Sequence, residues 1–322
     1  MLRYLPDEVA CVLDSTCVGR NLAELLGFGG NVPIVATAEE ALRLKPTALL
    51  IGVAAAGGRL PLIWEDAIFA FLRNGLSVIS GLHYFLGDDP RFSVIARECK
   101  GQIIDLRRPP LERNIASARA LAHSGIRVLT VGTDECMGKM TAALEVTAEA
   151  NRRGWDGKFI ATGQTGIAIE GDGVVIDAVI ADFMAGAVET LVLNNRHRRL
   201  LVIEGQGAIT SPSFSGVTLG ILHGCLPQAL ILCHDMRRSY HRGTVFRLPD
   251  PQMVMSLYEN LARALAPCVT IGVCLNTSGQ SQEMAMRDLH AIEAKLGVPA
   301  TDPIRFGVSR LLDAVEPFMR TL

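Results

Sequence analysis

Aromatic side chains, unbalanced charge and long apolar runs are all scarce in this chain of 322 residues. Phe, Trp and Tyr together make up only 5%, so its apolar bulk is aliphatic. Lys plus Arg number 31 against 33 Asp plus Glu, a formal charge of −2. Nucleic-acid binding normally rests on a cationic excess, and none is present here. The longest apolar stretch, in TALLIGVAAAGG at 47–58, falls well short of the roughly 20 residues of a spanning helix. The opening MLRYLPDEVACVLDS carries acids early and lacks the charged start and clean apolar block of a signal peptide. No membrane association is expected. No two of the cysteines (Cys11, Cys17, Cys99, Cys136, Cys225, Cys233, Cys268 and Cys274) stand at Cys-x-x-Cys spacing. Most lie in apolar runs, which reads as reduced core thiols in a cytoplasmic protein with no metal site.

What is abundant is aliphatic residues and glycine. The hydrophobic fraction of 49% and mean hydropathy of +0.29 exclude a disordered chain. The length predicts two domains. Short apolar runs alternate with helical patterns, which predicts α/β folding on parallel sheets. In the first half Glu8–Leu13, Pro33–Ala36, Ala48–Val53, Ser77–Ser80 and Gln102–Leu106 read as strands. Ile63–Asn74 reads as a helix ending at Gly75. The run RRPP at 107–110 breaks the pattern, because proline continues neither a strand nor a helix interior. The domains are therefore expected to be 1–110 and 111–322, with Leu111–His123 a connecting helix. In the second half the expected strands are Ile126–Val131, Lys158–Thr162, Val174–Ile176, Leu200–Glu204, Ala229–Cys233 and Val269–Leu275. Helices are expected over Lys139–Arg153, Asp182–Asn194, Pro251–Leu265, Gln282–Leu296 and Ser309–Arg320.

The sharpest signal is VLTVGTDECMGKMTAALEVTAEANRRG. An apolar strand runs into a loop of Gly132, Thr133, Asp134, Glu135, Cys136, Met137 and Gly138, and Lys139 opens a helix. Loop N–H groups, the helix N-terminus and the lysine charge together make a phosphate site. Five residues separate the two glycines, one more than in the usual phosphate loop. The position that normally carries a Mg²⁺-binding hydroxyl holds Met140, a soft thioether that Mg²⁺ disfavours. Thr141 follows one place later, about 100° further around the helix. Such a loop suits a ligand whose phosphates are a handle rather than the reacting group.

GTDECMGK resembles the opening loop of dethiobiotin synthetases, and LLVIEGQGA at 200–208 resembles their strand-end acid motif, with Glu204 in the acid's place. A more extensive resemblance rests on IGVAAAGGRLP (51–61), SGLHYFLGDD (80–89), DLRRPP (105–110), GTDECMGKMT (132–141), TGQTGIAI (162–169), IEGQGAITSPSFSGVTLGILHG (203–224) and LPQALILCH (226–234). In that order these segments resemble a two-domain family long without an assigned function. Its members pair an N-terminal Rossmann-like domain with a C-terminal P-loop domain, and they include D-glutamate N-acetyltransferases. The resemblance implies acetyl transfer from acetyl-CoA to the amino group of D-glutamate or a similar amino acid. An ATP- and Mg²⁺-dependent ligase or kinase of the dethiobiotin synthetase type is the alternative.

Acetyl transfer needs a neutral amine, a base and donors for a developing oxyanion. Glu204 is the first choice as base, with Asp134, His223 and His234 behind it. An acidic amino acid asks for guanidinium partners. Arg59, Arg107 and Arg108 follow expected strands and are the candidates, with His83, Gln164 and Gln206 as further substrate contacts. A homo-oligomer is expected from the apolar helices.

Overall fold

The computed structural model describes residues 1–53 and 60–320. The chain divides into two compact units, Met1–Arg108 with Ile167–Gly171, and Pro109–Gly166 with Asp172–Leu322. Both are α/β with parallel sheets.

The first unit opens with β1 (Val12–Leu13), α1 (Leu22–Leu26), β2 (Ile34–Val35) and α2 (Ala38–Arg43). It continues through β3 (Ala48–Ile51), α3 (Glu65–Arg73), β4 (Ser77–Ser80), α4 (Pro90–Glu98) and β5 (Gln102–Asp105). β1 and β2 form one parallel pair, and β3, β4 and β5 a parallel sheet in that order. α3 sets Ile68, Phe71 and Leu72 on one side, the i, i+3, i+4 spacing of a helix face. That face packs with Val78 of β4 and with Phe92 and Ala96 of α4 into one core. α4 starts where it does because the Asp89 carboxylate caps the Arg91 N–H at 2.9 Å and Pro90 occupies the first helical position.

The second unit carries β6 (Ile126–Gly132), α5 (Lys139–Arg152), β7 (Gly157–Ile160), the first three residues of α6 (Gln164–Glu170), the rest of which is assigned to the first unit, then α7 (Ala181–Asn194) and β8 (Leu200–Ile203). Then come α8 (Ser215–Cys225), β9 (Ala229–His234), α9 (Pro251–Arg263), β10 (Val269–Leu275), α10 (Gln282–Leu296), β11 (Ala300–Thr301) and α11 (Ser309–Met319). The sheet is six parallel strands in the order β11-β10-β9-β6-β8-β7. All seven residues of β6 are buried, as a central strand covered on both faces must be. Alternate residues Leu129, Val131, Leu201, Ile203, Leu230, Leu232, Val273 and Leu275 join α7, α8, α9 and α10 in one core. α11 covers the opposite face, close enough at Gly272 that a β-carbon there would lie 2.3 Å from Leu311. Strand order turns at β6, with β8 and β7 to one side and β9, β10 and β11 to the other. Open α/β sheets bind ligands at the carboxyl edge of such a turning point.

Two expected elements differ. Leu111–His123 is not a helix; only Arg119–Ala122 forms a short 3-10 turn. The segment is laid along α7 instead. The buried Glu189 carboxylate accepts the N–H groups of Ser117 and Arg119 at 3.1 and 2.7 Å and pairs with Arg119 Nε at 2.7 Å. Those backbone groups are satisfied from outside, and a helix has nothing to add. Val174–Ile176 forms no strand. Val174 and Ile176 donate their N–H groups to the Ala161 and Thr162 carbonyls at 3.2 and 3.0 Å, but the chain passes at once into a 3-10 turn, Ile176–Ala178, so the pairing stops short of a strand. Among the described residues no helix is long and apolar enough to cross a membrane.

Candidate functional site

The site begins where β6 ends. Gly138 at φ +98° turns the chain into α5 in a conformation that penalises a β-carbon. No side chain among the described residues caps α5, which leaves its first N–H groups available to an anion. Lys139, 6% exposed, folds back and donates from Nζ to the Asp134 carbonyl at 2.8 Å. Burial lowers its pKa, an effect opposed by Cys233, Cys136, Asp134 and Glu204. The loop itself is held from below, where the buried Tyr258 hydroxyl donates to Gly132 O at 3.0 Å and accepts from Ile209 N at 2.9 Å. The Thr133 hydroxyl shares a 2.8 Å hydrogen bond with His234 Nδ1, and burial pulls His234 down to about 4. His234 is thus a neutral strut at pH 7.

Glu204 follows the last residue of β8 and is buried. One carboxylate oxygen accepts the N–H groups of Thr162 and Gly163 at 2.9 and 3.1 Å. Burial raises its pKa to about 7, although those N–H groups, Lys139 and Gln206 pull the other way. Two glycines make room for this geometry. A β-carbon on Gly166 would lie 2.6 Å from Glu204 Oε2, and one on Gly205 1.8 Å from the Thr130 carbonyl. A carboxyl group poised near neutrality beside a buried lysine can take up or release a proton at working pH.

Asp134 has a different environment. His241 Nδ1 lies 3.0 Å from one oxygen; Arg238 Nη1 at 3.2 Å and Arg242 N at 2.7 Å donate to the other. Its pKa is lowered because these partners outweigh its desolvation. With both oxygens engaged, Asp134 serves as an anchor for the segment after β9. Arg238 and Arg242 also reach the Glu135 carbonyl at 2.7 Å and Cys136 Sγ at 2.8 Å. This basic segment was missed by the sequence reading. Its signal was MRRSYHRG at 236–243, four basic or histidine residues directly after a strand.

A family model described as the Domain of unknown function (DUF1611_C) P-loop domain matches residues 114–312. The corresponding N-terminal model, described as a Rossmann-like domain, matches residues 15–109. The chain belongs to the DUF1611 family. A crystal structure of a DUF1611 family protein from Anabaena variabilis ATCC 29413 matches with TM-score 0.92 and 37% identity, covering 97% of this chain and 94% of that one. A curated protein from Tritonibacter scottomollicae, named D-glutamate N-acetyltransferase, is 40% identical over 90% of this chain and 88% of its own length. One of the same name from a Pseudoalteromonas species is 35% identical over 85% and 82%.

Within this DUF1611 chain, Gln206 joins the site, its Nε2 donating to the Thr162 hydroxyl at 3.2 Å. Gln164 opens α6, two residues beyond Thr162. Met140 and Thr141 occupy the first turn of α5. His223 is not brought to the loop. It sits near the end of α8, two residues before Cys225, whose carbonyl accepts from Arg127 Nε at 2.9 Å. Arg127 is the second residue of β6, so this is the sheet's amino edge, on the order of 16 Å along the strand from Gly132. His83, Arg107 and Arg108 belong to the first unit. There Arg107 is buried and donates to Gly81 O at 2.7 Å, Arg108 pairs with Asp88 at 2.7 Å, and His83 is exposed. Arg59 lies outside the described residues.

Proposed function

We propose that this chain is an N-acetyltransferase that moves an acetyl group from acetyl-CoA to the amino group of D-glutamate or a similar amino acid. The observation that carries the reading is the pairing of a phosphate cradle with Glu204, a buried carboxyl poised at about 7. The cradle's metal-hydroxyl position is Met140, which suits coenzyme A phosphates, an anionic handle that needs no metal. The curated relatives' name supports the same chemistry.

In this reading the loop N–H groups and Lys139 hold a phosphate of the donor. Glu204, ionised, accepts a proton from the acceptor amine as its nitrogen attacks the thioester carbon. The new C–N bond forms, the C–S bond breaks, and the proton passes on to the departing thiolate. Asp134 keeps the basic segment against the loop without joining the proton path.

The test is thiol release. Purified protein with acetyl-CoA and a panel of D- and L-amino acids is expected to release coenzyme A only with acidic acceptors, unaffected by EDTA. No release with any acidic amino acid overturns the reading. Substrate-dependent ADP formation that EDTA abolishes replaces it with the ligase or kinase alternative.

A further inference from the structure

Next to the phosphate loop, wholly within the second unit, lies a recess of about 400 Å³. One wall is TSPSFSG at 210–216, leading into α8; the other is a short hairpin after β9. The hairpin is built from Tyr240 bridged to Arg247, His241 N on Phe246 O at 2.9 Å and Leu248 N on Ser239 O at 3.0 Å. This pairing gives it two jobs. His241 and Arg242 face Asp134 and the loop, while Phe246 and Arg247 line the recess.

The other arginines of this region have acidic partners: Arg237 holds Asp235, Arg238 holds Asp134 and Arg242 lies 3.8 Å from Glu135. Arg247 is exposed, rests over the Tyr240 ring at 5.5 Å and has no carboxylate partner among the described residues. Ser211, whose Oγ accepts Ser213 N at 3.4 Å, and Ser215 also line the recess, and Thr210 Oγ1 is buried without a hydrogen-bond partner. His241 also lines the recess. With Nδ1 on Asp134, its Nε2 is the ring's remaining hydrogen-bonding atom. The volume is within the range of small-molecule sites.

We propose that this recess is the acceptor subsite, in which Arg247 takes the distal carboxylate of an acidic amino acid beside the phosphate loop. The proposal rests on the acetyltransferase reading and deepens it. A guanidinium matches a carboxylate through paired hydrogen bonds, and Ser211 and Ser215 supply further donors. An anionic group could equally come from the donor's phosphates, so the experiment separates the two sources.

The variant is Arg247→Leu, with Arg247→Lys as the conservative partner and thermal melting to confirm folding. Loss of a charge-assisted pair is expected to raise the acceptor KM about tenfold or more, with the acetyl-CoA KM held within about twofold. Arg247→Lys recovers part of the loss. Wild type is expected to prefer D-glutamate over D-glutamine, and Arg247→Leu to lose that preference, which a merely structural role would not do. A rise in the acetyl-CoA KM alone assigns the recess to the donor and overturns the proposal, as do unchanged values for both. If wild type acetylates no acidic amino acid, the functional reading fails by itself. Calorimetric titration of D-glutamate then decides the recess: binding weakened in Arg247→Leu supports it, and no binding to wild type overturns it.

Discussion

The two edges of the second unit's sheet both bury charge, and they use it differently. At the amino edge Arg127, 3% exposed, donates Nε to the Cys225 and Leu226 carbonyls at 2.9 and 3.1 Å, and Nη1 to the His123 carbonyl at 3.2 Å. It fastens the turn after α8 to the start of β6. At the carboxyl edge Lys139 spends one hydrogen bond on Asp134 O, and Glu204 is held near neutrality by burial against two N–H donors. A buried charge satisfied by its surroundings is a staple. Buried charges with bonding capacity left over, at a sheet's switch point, form a site.

The largest effect should come from removing the carboxyl at the carboxyl edge. Glu204→Gln keeps the shape and is expected to lower kcat by about 10²–10⁴-fold with acetyl-CoA affinity nearly unchanged, read by steady-state rates and direct titration. In wild type kcat/KM should rise with pH through about 7, since the base must be ionised, and that limb should vanish in Glu204→Gln. The same group affects stability in the opposite sense. Its folded pKa lies above its unfolded value, so its contribution is fully present below about 4.5 and is lost as pH rises through about 7. Relative to wild type, Glu204→Gln should therefore gain on the order of 2–3 kcal/mol between pH 5 and pH 8, measured by denaturant unfolding. A variant with normal turnover removes Glu204 from the chemistry.

Lys139→Ala comes next, with acetyl-CoA affinity expected to fall roughly tenfold to a hundredfold. Its counterpart at the amino edge is Arg127→Met. There the loss should appear in stability, about 3 kcal/mol from the stranded carbonyls of Cys225, Leu226 and His123, with KM and kcat of the folded protein unchanged. Equal effects of the two substitutions on acetyl-CoA affinity would erase the distinction between staple and site.

Local pattern explains what could be read from the sequence. A strand, a glycine loop and a helix in immediate succession carry their own periodicity, so β6, Lys139 and α5 were legible, as was Glu204 from its strand-end motif. The hairpin at 239–248 was not, because its purpose is set by Asp134, more than a hundred residues earlier in the chain, and neither segment marks the other. The same blindness made Arg107 and Arg108 stand out equally, whereas one is buried against Gly81 O and the other paired on the surface with Asp88. Leu111–His123 scanned as helical because nothing local announces that Glu189 will claim its N–H groups. Val174–Ile176 has strand composition, and only the fold shows that its two bonds to the Ala161 and Thr162 carbonyls give way at once to a 3-10 turn.

The smallest expected effect is the most direct check on the division between edges. His223 lies at the amino edge, half-buried near the end of α8, with Arg127 fastening the chain two residues on. Its motif, LGILHG, marks it as strongly as the site glycines are marked. His223→Ala should nevertheless leave kcat and both KM values within about twofold, with stability changing by about 1 kcal/mol or less, as for substitutions away from cores and buried networks. Steady-state kinetics beside a thermal melt separates the two quantities. A fall in kcat of the size expected for Glu204→Gln, in a variant that melts like wild type, would carry the chemistry to the amino edge and leave the carboxyl-edge assembly as a binding device alone.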